Sequence, residues 1–245
     1  MGIVTITKVD SLWWLGRYTE RVYTTLRTFF PYYDTCLDHS PERFRMFSDN
    51  LDVNADMSNF DSFLYDFLYS KENPNSVCAS MNFAFDNAVM LRPEIGTDTL
   101  AYIEIALNNL RQSRIDEVNR LEGQRDAIDN LLTFWGAIED GIASPEVKAF
   151  VMAGKYVERI DLYSRFKRSP IDFESPIVRL NFYLGELPER GRALLSAAVS
   201  SVADEVAARG YDEGLVGRIR AAAPAPVYDR DGKVISAGEA DETLK

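Results

Sequence analysis

Two short segments of this chain hold the residues best able to do chemistry. Gly16-Arg17-Tyr18-Thr19-Glu20-Arg21 returns 138 residues later as Gly154-Lys155-Tyr156-Val157-Glu158-Arg159, and the same spacing carries Arg27 onto Arg165. A carboxylate beside guanidinium groups has three uses. It can tie two helices together through bidentate bridges. It can orient arginines that receive a carboxylate or phosphoryl group. With its proton affinity raised by burial, it can serve as a general base. A fourth reading gives the charges no task, because a polar sector opposite an apolar one is usually a solvated face whose ion pairs are worth ~0–1 kcal/mol. The spacing leaves all four open. It makes Glu20 and Glu158 the candidate catalytic residues, and Arg17, Arg21, Arg27, Lys155, Arg159 and Arg165 the candidate substrate-binding groups.

Other chemistries lack their parts. His39 is the single histidine, so a Ser-His-Asp or Cys-His site has only that residue to build on. It lies in Asp38-His39-Ser40-Pro41, which reads as an exposed turn. Zinc sites need several His or Cys ligands and di-iron bundles need Glu-x-x-His twice, so no metal is expected. Cys36 and Cys78 are too far apart to suggest a disulfide framework, and Cys78 sits in an apolar helical context that reads as inert core. Neither Gly-x-x-x-x-Gly-Lys-Ser/Thr nor Gly-x-Gly-x-x-Gly occurs, which argues against a nucleotide or other cofactor held by the chain itself.

The elements that must position these groups are helices. Leu15, Tyr18, Val22, Leu26 and Phe29 fall within an arc of about 80° at helical spacing, the apolar stripe of a helix over 8–30. Arg17, Glu20, Arg21, Thr24 and Arg27 share a sector about 120° wide on the opposite side, with Arg17 and Glu20 close enough to pair directly. Thr7 with Asp10 suggests the N-terminal cap, and Pro31 an end or a kink. Further helices are predicted near 41–48, 58–70, 75–92, 97–112, 115–140, 144–168, 175–187, 189–208 and 212–222, separated by Pro and Gly punctuation. The fold class is therefore all-α: a single bundle of roughly eight to ten helices over 1–222, with pseudo-repeated Glu-Arg helices. Residues 223–245 read as a linker and tail, with a small hairpin around Asp231-Gly232 that is either mobile or docked on a partner.

A glycine four places before each Glu lowers helix propensity by up to ~1 kcal/mol relative to Ala. Meeting that twice predicts a backbone or ligand approaching closely at Gly16 and Gly154. Elsewhere, the aromatic run Phe60 to Tyr69 reads as core, with a partner-binding surface as the other reading. Glu104 and Asn108, one turn apart, read as a buried hydrogen-bonding pair or as an acid with an amide orienter. The 115–140 segment carries scattered charge and reads as a solvated helix.

Composition narrows the partners. The 245 residues are 46% hydrophobic, enough for a real core, and carry a net charge of −11. Such a protein is repelled by nucleic acid and by anionic membrane. No apolar run approaches the roughly 18 residues of a spanning helix, and Met1 to Thr7 lacks a signal-peptide pattern, so a cytoplasmic location is the expectation.

The two echoed segments also carry a resemblance. The chain resembles the bacterial alpha-E family, helical proteins named for Glu-Arg motifs. Ser11 to Arg21 is similar to the family's N-terminal signature, with Thr25 and Arg27 in place, and Gly154 to Asp161 followed by Arg165 is similar to the second. Asn73-Pro74-Asn75-Ser76 introduces a helix like the family's central region, where Asn87, Arg92, Glu104 and Asn108 fall on expected positions and join the candidate substrate-binding set. Lys155 replaces a usual arginine, and Phe85 and Val89 stand where two arginines usually flank the Asn. The resemblance covers about residues 5–170 and implies a divergent member.

What it implies is a companion of circularly permuted ATP-grasp ligases, which activate a carboxylate as an acyl phosphate and pass it to an amine. On that footing the expected partners are an ATP-grasp-type ligase and a peptide or small amine/carboxylate substrate, with ATP and Mg²⁺ on the ligase rather than here. The chain would hold substrate or complete the ligase site. An enzyme in its own right, using a Glu/Arg pocket for amide-bond chemistry, and a purely structural interaction module are the alternatives.

Overall fold

A computed structural model describes residues 6–38, 44–51, 53, 59–115, 120–223, 227–228 and 234–235. His39, Ser40 and Pro41 therefore lie outside the described residues, as does the turn at Asp231-Gly232. The described chain is built from helices α1 (Ile6–Asp38), α2 (Arg45–Asn50), α3 (Phe60–Tyr69), α4 (Val77–Met90), α5 (Arg92–Ile95) and α6 (Thr97–Ile115). These are followed by α7 (Arg120–Gly141), α8 (Pro145–Arg165), α9 (Glu174–Gly185), α10 (Glu189–Ala208) and α11 (Glu213–Ala222). The architecture is all-α. Two short strands, β1 (Val227–Tyr228) and β2 (Val234–Ile235), pair antiparallel beyond the bundle, with Val227 opposite Ile235.

Local chemistry sets the helix ends. Ser144 accepts from the Val147 amide with Pro145 in the first turn of α8, Ser76 accepts from Ala79 at α4, and Asp212 accepts from Leu215 at α11. Gly210, just beyond α10, has φ +89°, a conformation that a side chain would strain. Two sequence expectations about α1 need correction. The helix already includes Thr7, so Thr7 is not its cap, and it continues through Pro31 to Asp38. Pro31 removes one donor, but buried Leu26 and Phe29 anchor the turn before it, and packing outweighs the lost bond.

α1 and α8 form the centre. α4 packs on α1, with α6 against α4 and α7 on α6; α9 and α10 flank α8, and α11 closes on α9 and α10. One continuous apolar core runs through all of these, including Leu12, Leu15, Phe134, Phe150 and Leu180. Phe47 stacks with Phe166 near the end of α8 and meets Phe67 edge-on, fixing α2 and α3 there. The Phe60–Tyr69 run is thus mainly core: Phe63, Leu64, Phe67, Leu68 and Tyr69 are buried and Tyr65 is exposed.

Two further expectations change. α7 is amphipathic rather than solvated: Ala127, Leu131, Phe134, Trp135 and Ile138 are buried along one side. Its fully buried Gln124 donates to the Tyr69 hydroxyl at 2.8 Å, and that hydroxyl shares a hydrogen bond with Ser113, joining α7, α3 and α6. Glu104 and Asn108 are both exposed on α6, so they do not form a buried pair. A charged side chain on the outward face of a helix needs no partner to stay solvated.

Candidate functional site

The site begins at a close helix crossing. A Cβ placed on Gly16 would come nearer than 3.0 Å to the carbonyl oxygen of Val151, and one on Gly154 would do the same to that of Trp13. Neither glycine has space for a methyl group, so the α1 and α8 backbones touch directly, as the cost of two helical glycines implies. Contacts then advance in the same direction along both helices, from Gly16 and Gly154 to Glu20 and Glu158, so α1 and α8 run parallel here. The two copies of the sequence echo face each other across an approximate two-fold.

That symmetry crosses the charges. Arg17 Nε donates to Glu158 Oε2 and Arg21 Nε to Glu158 Oε1, each at 2.6 Å. Arg159 donates Nε to Glu20 Oε1 at 2.7 Å and Nη2 to Glu20 Oε2 at 3.0 Å, a bidentate fork. Thr24 adds its hydroxyl to Glu20 Oε1 at 2.6 Å. The charged sector of α1 is therefore an interface and not a solvated face: Glu20 and Glu158 are 0% and 1% exposed. Arg17 bridges to Glu158 across the crossing, which brings the two within 2.6 Å, instead of pairing with Glu20 on its own helix.

Electrostatics follow from burial. Desolvation draws the Arg21 and Arg159 guanidiniums down, but the facing glutamates outweigh it and hold both above the ordinary arginine value. Arg17 also lies over Trp14, 5.1 Å from its ring centre.

Lys155 departs from the pattern. It occupies the place of Arg17 in the second copy but rests over Trp135, 4.1 Å from the ring centre, with no hydrogen bond to Glu20. Burial is the main cause that brings its ammonium down to about 8; Arg159 and Arg179 push the same way, and Glu20 and Glu139 oppose them. A lowered folded value means the unfolded chain holds more protons between about pH 8 and the ordinary lysine value of 10.5. Stability should therefore rise with pH through that window, by up to ~3 kcal/mol from this group at ~1.4 kcal/mol per unit. Above about pH 10 the effect is opposed by Tyr156 and Tyr183, whose hydroxyls burial holds high and which ionise more readily once unfolded. Lys155→Met should raise the melting temperature at pH 7 and flatten the rise toward pH 9.5; an unchanged pH profile would mean that this ammonium is hydrated.

Arg165 joins the site through Asp161, one turn earlier on α8, at 3.1 Å. Asp161 also accepts from Arg209, just past the end of α10, at 2.7 Å, and Arg209 holds Glu205. Arg27, the counterpart of Arg165, donates to the Tyr23 hydroxyl instead, because Tyr23 occupies the place of Asp161. Beside the bridges lies a cavity of about 280 Å³ lined by Arg21, Arg165, Glu158, Asp161, Asn75 and Ser80 among others.

The structure thus gathers Arg17, Glu20, Arg21, Glu158 and Arg159 at one crossing, with Lys155, Arg165 and Arg27 at its margins. The four central-region candidates lie elsewhere. Glu104 and Asn108 are on α6, held mainly by α7 and α4; Arg92 is exposed at the start of α5, and Asn87 is half-buried late in α4. Phe85 is half-buried against the core and Val89 is exposed. Asp161, Arg209 and Glu205 escaped the sequence reading as site residues, although Asp161 stands three residues after Glu158, on the same helix face.

Among the described residues, no helix is long and apolar enough to cross a membrane, and no group of three or more His, Cys, Asp or Glu could hold a metal ion. Cys78 is buried, and burial pushes its thiol up to about 11, which leaves it unreactive near neutral pH.

Neither a curated protein nor a solved structure matches the chain. Residues 8–184 match the model of Alpha-E, described as a predicted alpha-helical domain with a conserved ER motif. The two Glu-Arg pairs found face to face, Glu20-Arg21 and Glu158-Arg159, are such motifs, and their match spans α1 to α9. The chain belongs to the Alpha-E family.

Proposed function

We propose that this chain is the helical partner subunit of an ATP-grasp-type ligase in a peptide or amide-bond-forming modification system, where it holds the amine or peptide substrate. One observation carries the reading: the cavity beside the Glu-Arg bridges sets Arg21 and Arg165 next to Glu158 and Asp161, with the polar groups of Asn75 and Ser80 at its wall. Paired cations and anions of that kind suit a molecule bearing both a carboxylate and an amine. Arg21 and Arg165 would receive the carboxylate, while Glu158 and Asp161 fix the two guanidiniums and leave an acidic edge for the ammonium. ATP and Mg²⁺ would stay on the ligase, which supplies the acyl phosphate.

Reconstitution tests this directly. Amide formation should need the ligase, ATP and this chain together, and Arg165→Gln should raise the KM for the amine substrate about tenfold, the effect of losing ~1.4 kcal/mol of ground-state binding. Its kcat should change less than twofold. Full activity of the ligase alone would sink the proposal.

A second reading, the purely structural module, draws support from how completely the glutamates are engaged. Both oxygens of Glu20 and of Glu158 already accept from arginine, and Glu20 from Thr24 too. With guanidiniums on both oxygens and 0% and 1% exposure, neither carboxylate leaves room for a reacting group to approach, which weighs against either glutamate as a general base.

A further inference from the structure

The approximate two-fold that relates α1 to α8 also relates two cavities. The first, already described, is lined by Arg21, Thr25, Asp161, Leu162 and Arg165. Carrying these across the 138-residue spacing gives Arg159, Tyr163, Tyr23, Thr24 and Arg27. All five line a second cavity of about 330 Å³ on the other side of the bridges. The two are counterparts in position but not in charge.

In the first cavity each arginine has an acid: Arg21 has Glu158, and Arg165 has Asp161. In the second, the place of Asp161 is taken by the neutral Tyr23, so Arg27 has a phenol in place of a carboxylate. Arg168, which the first cavity has no counterpart for, adds a third guanidinium; among the described residues the lining contains no carboxylate, although Glu20 holds Arg159 from outside it. Arg159 spends Nε and Nη2 on Glu20 and keeps Nη1 uncommitted. Thr24, Thr28, Tyr23 and Tyr163 contribute hydroxyls to the same wall. An adjoining cavity shares Thr28, Pro31 and Arg168 and is also lined by Lys167 and Asp172, one cation and one carboxylate. On a chain of net charge −11, a concave surface where Arg27 and Arg168 add two guanidiniums to the Arg159–Glu20 pair, with no further carboxylate among its described residues, is a local reversal.

We infer that the cavity between Arg27, Arg159 and Arg168 binds a phosphoryl group, as free phosphate or as a phosphate monoester. Guanidiniums from α1, from α8 and from the segment after α8 approach from different directions, and hydroxyls fill between them. That arrangement suits four oxygens around a tetrahedral centre better than the two coplanar oxygens of a carboxylate. One copy of the repeat is closed by its own acid; the other is left open for an anion from outside. The inference stands on this cavity alone and does not need the ligase reading.

The test uses the full chain, titrated with inorganic phosphate and separately with phosphoserine, followed by thermal unfolding and ³¹P line shape. Sodium chloride at matched ionic strength and sodium acetate serve as references. Phosphate should stabilise the protein saturably, and Arg27→Gln or Arg168→Gln, both at exposed positions, should weaken binding about tenfold or more. Tyr23→Asp, which restores the acid of the first cavity, should abolish binding, while Tyr23→Phe retains it. Phosphoserine binding tighter than phosphate assigns the site to a monoester; equal affinity assigns it to the free ion. An effect matched by chloride or acetate, or unchanged in both arginine variants, overturns the inference. The exposed arginine variants decide the matter even where Tyr23→Asp fails to fold.

Discussion

Glu158→Gln should destabilise this protein by about 3–5 kcal/mol, the range expected when one partner of a buried ion pair is removed and the other is left uncompensated. Glu158 is 1% exposed and accepts from Arg17 and Arg21 at once, so the substitution leaves two guanidiniums facing a neutral amide. The amide keeps one acceptor and turns an NH₂ group toward the other arginine, adding repulsion to the lost attraction. Glu20→Gln should cost less, since a single arginine and a threonine hydroxyl depend on Glu20. Thermal or denaturant unfolding of the two variants checks both the size and the order. A loss below about 1 kcal/mol for Glu158→Gln would class the bridges with solvated surface pairs. The double variant Glu20→Leu/Arg159→Met should recover much of the Glu20→Gln loss, because removing both charges together leaves no charge unpaired, only the Thr24 hydroxyl without its acceptor.

How far the sequence revealed this arrangement can be judged residue by residue. The apolar stripe from Leu15 to Phe29 and the Pro and Gly punctuation between segments are local, so α1, α4 and α8 were legible in outline. Gly16 and Gly154 announced a close approach, because helical glycine is unfavourable unless something needs the space. The partner of each charge was not legible. Periodicity places Arg17 and Glu20 on one face but cannot say that α8 covers it. Only the crossing shows that Arg17 reaches Glu158, 141 residues away. Arg209 and Glu205 belong to no echo and enter the site through tertiary packing of α10 on α8. The same limit explains Lys155: it holds the place of Arg17 in the echo, yet it rests over Trp135 of α7, a ring that the two-fold does not repeat.

The largest backbone effect should come from a single methyl group. Gly154→Ala places a Cβ against the Trp13 carbonyl, and Gly16→Ala against that of Val151; both obstacles are backbone atoms that no rotamer change can move. The helices must part, and every bridge across them lengthens together, so the loss should reach or exceed the ~1–3 kcal/mol typical of overpacking. Helix propensity works in the opposite direction, since alanine favours a helix by up to ~1 kcal/mol over glycine. Gly136 on α7 separates the two effects: it is exposed, and a Cβ there meets nothing within 4 Å. Gly136→Ala should therefore stabilise by up to ~1 kcal/mol, while the same change at Gly154 destabilises severely. Opposite signs from one substitution at two helical glycines would show that the α1–α8 contact, and not intrinsic helix preference, sets the fold's tightest constraint. Equal signs would place the two backbones farther apart than the Glu-Arg bridges require.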